Sequence, residues 1–517
     1  MMCSRCCDGW LTAVILCTTP LLAAGADAPL ADAMERLDRT AVDSLLDQHV
    51  AVNEAQVDGM TALHWAAYHD EADLVGRLVD AGADVQLSSR YGVSALSLAA
   101  QNANVTIVER LLEAGADATT TLPGGETVLM TAARSGRVGV VRALVANGAD
   151  VHATEGKRGQ TALMWAAAEG HVEVVEMLIE IGADFRTPLD SGFTPFLFAV
   201  REGHLGVVDT LVRAGVDVNG TVEEVVSHER TYRAGRPIRV GTSPLLVAVT
   251  NAHWEVAAAL LEAGADPNAD EPGYTVLHMM PKVRKPGVGD NDPAPDGSGQ
   301  MTSLEFVRTL AAHGAALDAQ MTRRRNLNNT RHHEPGSTPF MLAALVADAE
   351  LMRTLVALGA DPLLTNAENS TPLMAAAGLG TRSPGEDAGT EQEVLEAVQL
   401  ALDLGGDINA VDDKGETAMH GAAYKNLPGV VALLAASGAD IDVWSRKNAS
   451  GWSPLTIARG YRVGNFKPSP VTVSAVEQAM LAEGIRPPTE EEEAAEGFDI
   501  YAPRQPPPAP PAPTPPR

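Results

Sequence analysis

The chain has 517 residues, a formal net charge of −29 and only 4% aromatic residues. So acidic a protein lacks the clustered Lys and Arg that phosphate backbones or anionic membranes require, which argues against nucleic acid or membrane as its main partner. Its apolar residues are mainly Ala, Leu and Val, suited to thin helical layers.

All four cysteines, Cys3, Cys6, Cys7 and Cys17, precede residue 18. Residues 10–24 (WLTAVILCTTPLLAA) form an apolar run shorter than the roughly 20 residues of a membrane-spanning helix. Ala24-Gly25-Ala26 supplies the small-x-small pattern that signal peptidase reads. Residues 1–26 are therefore expected to be an export signal cleaved after Ala26, leaving a cysteine-free chain in the periplasm or outside the cell. Arg5 is offset by Asp8, so an uncleaved anchor is the competing reading. No later stretch is apolar and long enough to span a bilayer. Seven Lys stand against thirty-one Arg, a usage associated with GC-rich bacterial genomes.

Residues 27–57 read as two short helices without a capping Thr, as expected of a terminal repeat with a wet outer face. Residues 58–486 then repeat one unit, best seen in Thr161–Asp184, TALMWAAAEGHVEVVEMLIEIGAD. Units start at Thr61, Ser94, Thr127, Thr161 and Thr194, at intervals of 33, 33, 34 and 33 residues. They continue at Ser243, Thr275, Thr338, Thr371, Thr417 and Ser453. The Thr or Ser hydroxyl can accept a bond from an unpaired N–H of the first turn. Pro195, Pro244, Pro339, Pro372 and Pro454 follow at the first helical position, where a missing N–H costs little. Val174, Val175, Leu178 and Ile181 give the second helix a buried stripe, and Gly182 supplies the left-handed stop.

A period near 33 with TALHWAA at 61–67 and GAD at 82–84 resembles the ankyrin repeat. The resemblance runs over roughly residues 30–486, about eleven units plus an N-terminal cap. It implies an all-α solenoid of helix-turn-helix units with protruding hairpin fingers, and a concave groove that binds a protein partner without catalysis. In that family the His three residues after the Thr ties neighbouring turns. Here His64, His278 and His420 keep it, while Met130, Met164, Leu197, Leu246, Met341 and Met374 replace it, so those layers are expected to rely on apolar packing. His171 and His204, after the turn glycine, are read as structural.

Two fingers are long. Gly215 to Ser243 and Gly314 to Thr338 take 28 and 24 residues where about 12 is usual. They carry Arg230, Arg233, Arg236 and Arg239, and Arg323, Arg324, Arg325 and Arg331, unexpected in so acidic a chain. Together they are read as an arginine-lined rim for acidic partner surfaces, where guanidinium groups pair with carboxylates; the bland alternative is that they balance the protein's own acidic helices. Trp65 and Trp165, four residues after their Thr, are read as core packing or, with Tyr68 and Tyr91, as aromatic anchors in the groove. Other extensions, near 281–301, 380–391 and 462–472, separate first from second helices.

Residues 487–517, an acid run and a Pro/Ala run, are expected to stay unfolded. No hydrolase elbow, zinc-protease helix or nucleotide loop occurs. DNDPAPDG (290–297) fails calcium-loop spacing. No cofactor or metal is implied. The expected protein is a monomeric, non-catalytic interaction scaffold; the alternative is a periplasmic protector or assembly factor for a client enzyme.

Overall fold

The computed structural model describes residues 28–222, 240–287, 294–325, 327, 330–461 and 468–495. Two compact units divide them: residues 1–272 with 295–302, and residues 273–294 with 303–517.

In the first unit the helices come in pairs: α1 (Pro29–Glu35) with α2 (Arg39–Asp47), α3 (Ala62–Tyr68) with α4 (Ala72–Asp80), α5 (Ala95–Gln101) with α6 (Val105–Glu113), α7 (Val128–Ser135) with α8 (Val138–Ala146), α9 (Ala162–Glu169) with α10 (Val172–Glu180), α11 (Pro195–Glu202) with α12 (Leu205–Arg213), and α13 (Pro244–Thr250) with α14 (Trp254–Glu262). First helices pack on first helices, from α1 to α13, and second on second, from α4 to α14. The second unit repeats the plan with α15 (Val276–Arg284) and α16 (Ser303–Ala312), α17 (Pro339–Leu345) and α18 (Ala349–Leu358), α19 (Pro372–Ala377) and α20 (Glu391–Asp403), α21 (Ala418–Lys425) and α22 (Pro428–Ala436). The short α23 (Ile441–Trp444) precedes α24 (Pro454–Ala458) and α25 (Pro470–Ala482), and α26 (Glu490–Ala495) follows. Each unit is thus an inner row of first helices backed by an outer row of second helices.

The expected local chemistry is in place. Thr161 accepts the Met164 N–H at 3.3 Å and Thr338 that of Met341 at 3.2 Å, caps worth about 1 kcal/mol each. α10 buries Val174, Val175 and Leu178 completely, each contributing about 1.5–3 kcal/mol. Ile181 departs from the expected stripe. It is the residue after the last helical turn and is 40% exposed. The fingers contain no strand among the described residues. Each is a tight turn closed by pairs such as Ser89 N–H to Val93 O (2.8 Å), with single bridges at Ser88–Ser94 and Thr121–Thr127.

Two sets of histidines tie neighbouring repeats. In the expected set, Nδ1 of His64 and His278 faces the capping Thr while Nε2 donates forward, to Val93 O (3.0 Å) and Ser337 O (3.1 Å). His420 keeps the Thr417 contact, but its Nε2 has no partner. The second set works at the other end of the inner row. Nε2 of His171, His204 and His253 donates back to the carbonyls of Arg134, Ala168 and Arg201 at 2.8–2.9 Å. The layers at Met130, Met164 and Leu197 therefore have a polar tie after all, in addition to apolar packing.

The irregular segments are anchored. Of 281–301, the part described in the first unit returns to α14: Ser298 Oγ lies 2.9 Å from His253 Nδ1, and Glu255 accepts the N–H groups of Gln300 and Met301. In the second unit Arg284 grips Asp348 bidentately at 2.6 and 3.1 Å. The acid run, expected to be unfolded, is helical from Glu490 to Ala495. Glu493 pairs at 2.7 Å with Arg459, a guanidinium only 7% exposed, so a single buried cation orders the start of the tail. Residues 496–517 and the apolar leader lie outside the described residues.

Candidate partner-binding faces

A two-row repeat array offers two surfaces, and charge separates them. From α3 to α13 the inner row carries charge only at Arg134, Glu169, Arg201 and Glu202, whereas α10 of the outer row alone carries Glu173, Glu176 and Glu180. In the first unit the acidity thus faces outward from the second helices, and the inner face is close to neutral.

That inner face is aromatic. Trp65 is half-buried, its ring 5.6 Å from Tyr68 in an edge-on contact and 5.9 Å from His69 in a stacked one. Its Nε1 donates to Gln56 at 2.8 Å. Tyr68 is 40% exposed and Tyr91, in the turn before α5, is 55% exposed. Farther along the row, the Arg134 guanidinium sits 5.1 Å above the Trp165 ring, and that of Arg201 sits 5.1 Å from both Phe193 and Phe198. Trp165 Nε1 has no hydrogen-bond partner. Phe198 is buried core, while Trp65 and Trp165 stay half-buried at the surface. The structure brings Trp65 and Tyr68 together. It places Trp165 three repeats away, and among the described residues Tyr91 makes no ring contact with the others. Arg134 and Arg201, the cations that touch these rings, were not singled out in the sequence; their signal is an Arg seven residues after the capping Thr.

The arginine fingers are a different case. Arg230, Arg233, Arg236 and Arg239 lie outside the described residues; only the base of that finger is seen, with Gly241 N–H on Val222 O at 2.9 Å. In the second unit Arg323 and Arg324 are exposed, Arg325 is half-buried and Arg331 is exposed. This finger does not simply project as expected. Its base closes through Met321 N–H to Ser337 O (3.0 Å), and the Arg331 N–H then reaches the carbonyl of Gly380, beyond the far end of α19, at 2.7 Å. The long finger therefore meets the extension that separates the first from the second helix of the next repeat.

Where they meet lies a cluster of charge around the buried Lys425. Lys285 Nζ donates to Ala347 O (3.0 Å) and Glu393 (2.6 Å), and Lys425 Nζ to Ala388 O (2.6 Å). Burial pushes Lys425 down to about 8 and raises Asp387, while the bond from Lys285 holds Glu393 down at about 2. These groups tie α15, α17, α20 and α21 together. Among the described residues no three His, Cys, Asp or Glu side chains come together in a metal-holding arrangement, and no helix is long and apolar enough to cross a membrane.

Paired short helices, glycine-stopped and stacked in two rows with one aromatic face, define a helical repeat protein built for contact. Models of ankyrin repeats match residues 30–122, 87–155, 129–222 and 240–271, so these segments of the first unit are similar to ankyrin repeats, which are generally non-catalytic protein-interaction modules. The chain is also similar to E3 ubiquitin-protein ligase KEG of Arabidopsis thaliana, 29% identical over 190 residues. That alignment covers 36% of this chain and 9% of the plant protein, so the chain spans under a tenth of that relative's length.

Proposed function

We propose that this chain is an exported, non-catalytic scaffold of about eleven ankyrin units that holds a protein partner on the inner face of its first unit. The observation that carries the reading is that Arg134 lies over the half-buried Trp165 ring and Arg201 over the edge of the buried Phe193–Phe198 pair, in a row of no net charge. Each is held by a carboxylate of this chain, Glu126 at 3.9 Å and Glu202 at 2.7 Å, that a partner's carboxylate would replace. Rings of this kind give contact area at small entropic cost, and arginine above them can turn to a carboxylate. The partner segment is therefore acidic with apolar side chains between its charges. The acidic outer row keeps the array soluble and turns such a segment toward the inner face.

A photo-crosslinker placed at Tyr68, and separately at the outer-row residue Glu109, tests this in the native cell. The expected result is one protein crosslinked from Tyr68, absent from Glu109, and reduced at least tenfold in R134E/R201E. Equal capture from both faces, or capture indifferent to the two arginines, would overturn the assignment. N-terminal sequencing of the recovered protein tests export, for which residues 10–26 are the support; an intact Met1 would remove it.

A further inference from the structure

In the first unit, the residue seven places after each capping Thr or Ser reaches the open inner face: Tyr68, Gln101, Arg134, Ala168, Arg201 and Thr250, none of them buried. The matching residues of the α17 and α19 repeats are Leu345 and Gly378, both buried. Every residue of α17 and of α19 is buried as well. Something covers the inner face of the second unit, and it is the chain itself.

The cover is the run of residues 330–336 that returns from the long finger to the cap of α17. At one end it lies on the turn before α19: Ala367 N–H donates to Pro335 O at 3.0 Å, and Asn366 Nδ2 to His333 O at 2.9 Å. At the other it reaches past α19, where the Arg331 N–H donates to Gly380 O. The four steps between these anchors span about 13 Å at about 3.3 Å each, enough to run alongside the six residues of α19, a length of about 9 Å. Thr330 then shares a small cavity with Leu345, Val346 and Lys425, at the ends of α17 and α21.

The fit is close and specific to backbone. His332 is 3% exposed and its Nε2 lies 2.9 Å from Ser337 Oγ. A Cβ added to Gly380 would stand 2.6 Å from the His332 nitrogen. In the α19 repeat the residues four and seven places after the cap are small, Ala375 and Gly378, where the α3 repeat has Trp65 and Tyr68. Three of the anchors are main-chain N–H or C=O groups of the run itself, the mode by which an edge reads an added extended strand.

We propose that residues 330–336 are a strap seated in a peptide-binding face of the second unit, and that this face takes an extended segment of a partner protein only when the strap lifts. The incoming segment must offer an N–H to Gly380 O and carbonyls to Ala367 and Asn366, with a side chain of imidazole size between them. The proposal is independent of the first-unit reading, because its test reads the second unit alone.

The probe is a fluorescein-labelled peptide of residues 330–337, TRHHEPGS. It is titrated against the intact chain and against a variant in which residues 323–335 are replaced by a Gly-Asn turn, which keeps the Met321–Ser337 pair. The expected result is binding at least tenfold tighter to the shortened chain. Equal binding to both, or none to a shortened chain that retains its helical circular dichroism, overturns the proposal. If the shortened chain does not fold, R331P in the full chain removes the N–H held by Gly380, and R331A, which loses the same guanidinium but keeps that N–H, is its control. Trypsin should then cut R331P after Arg323, Arg324 and Arg325 at least tenfold faster than that control, and an unchanged rate overturns the proposal equally.

Discussion

The two units use one repeat in opposite ways. In the first, the inner row ends in Gly-His corners, where His171, His204 and His253 reach back to the preceding repeat, and the face beyond stays open with large rings on it. In the second, Gly378 is met by Lys425 and Gly380 by His332, the corners carry extensions, and the inner face of α17 and α19 is filled. Exposure of the residue seven places after the cap follows this division: Tyr68, Gln101, Arg134 and Arg201 reach the open face of the first unit, while Leu345 and Gly378 are buried in the second.

Acid should separate the units first and most strongly. Burial pushes His278, His332 and His420 of the second unit down to about 4, and lowers His64 and His253 of the first. The fold holds these imidazoles neutral. Their contribution is therefore fully present above pH 6.5, the ordinary value, and is lost as pH falls from 6.5 toward 4. A gap of about two and a half pH units corresponds to roughly 3 kcal/mol per histidine, so three of them can outweigh the stability of a repeat array. Glu393, held near 2 by Lys285, adds a separate loss only below about 4.5. Hydrogen exchange across pH 7 to 4 should show the second unit losing protection at higher pH than the first. Loss at a common pH would mean the two are not independently stabilised.

Three glycines sharpen the contrast at smaller scale. Gly182, Gly170 and Gly380 have φ of 94°, 81° and 89°, all left-handed, but their surroundings differ. A Cβ on Gly182 meets nothing within 4 Å, on Gly170 the His204 ring at 2.6 Å, and on Gly380 the backbone of His332 at 2.6 Å. G182A should therefore cost about 1 kcal/mol, the left-handed penalty alone. G170A should cost about 2 kcal/mol, since a ring must also move. G380A should cost about 3 kcal/mol, because backbone cannot yield as a side chain does. Denaturant midpoints of the three variants give the order, and a flat series would show that the close approaches relax freely.

Much of this was legible from the chain because it is local. Thr61, Pro195 and Gly182 act within their own helix turns, so a fixed spacing of about 33 residues reveals them. The pairing of His64 with its own cap belongs to the same class. The strap was not legible, because it depends on Ala367 and Gly380 meeting residues some 30 to 50 positions earlier. The arginines of that finger drew attention to side-chain charge, while its anchoring is done by main chain. Two signals were available: small residues at Ala375 and Gly378 where other repeats carry rings, and a His-Glu pair, His332 and Glu334, in a loop that reads as polar yet is buried. The helix at Glu490–Ala495 escaped for a similar reason, since its partner Arg459 lies in the preceding repeat.

The smallest effect lies within the open face. Trp65 and Trp165 occupy the same place in their repeats, but Trp65 Nε1 donates to Gln56, and nine residues before Trp165 stands Gly156, which has no side chain to accept. Replacing either indole by a phenyl ring removes similar apolar area. W65F additionally breaks a hydrogen bond and strands the Gln56 carbonyl, so it should cost about 1 kcal/mol more than W165F. Thermal unfolding of the two variants measures that difference. Trp165 Nε1 is buried as well as unpaired, so W165F also removes a stranded donor, which widens the gap from W65F. Equal stability losses in the two variants would mean that the Gln56 bond contributes nothing net and that the unpaired indole N–H carries no penalty.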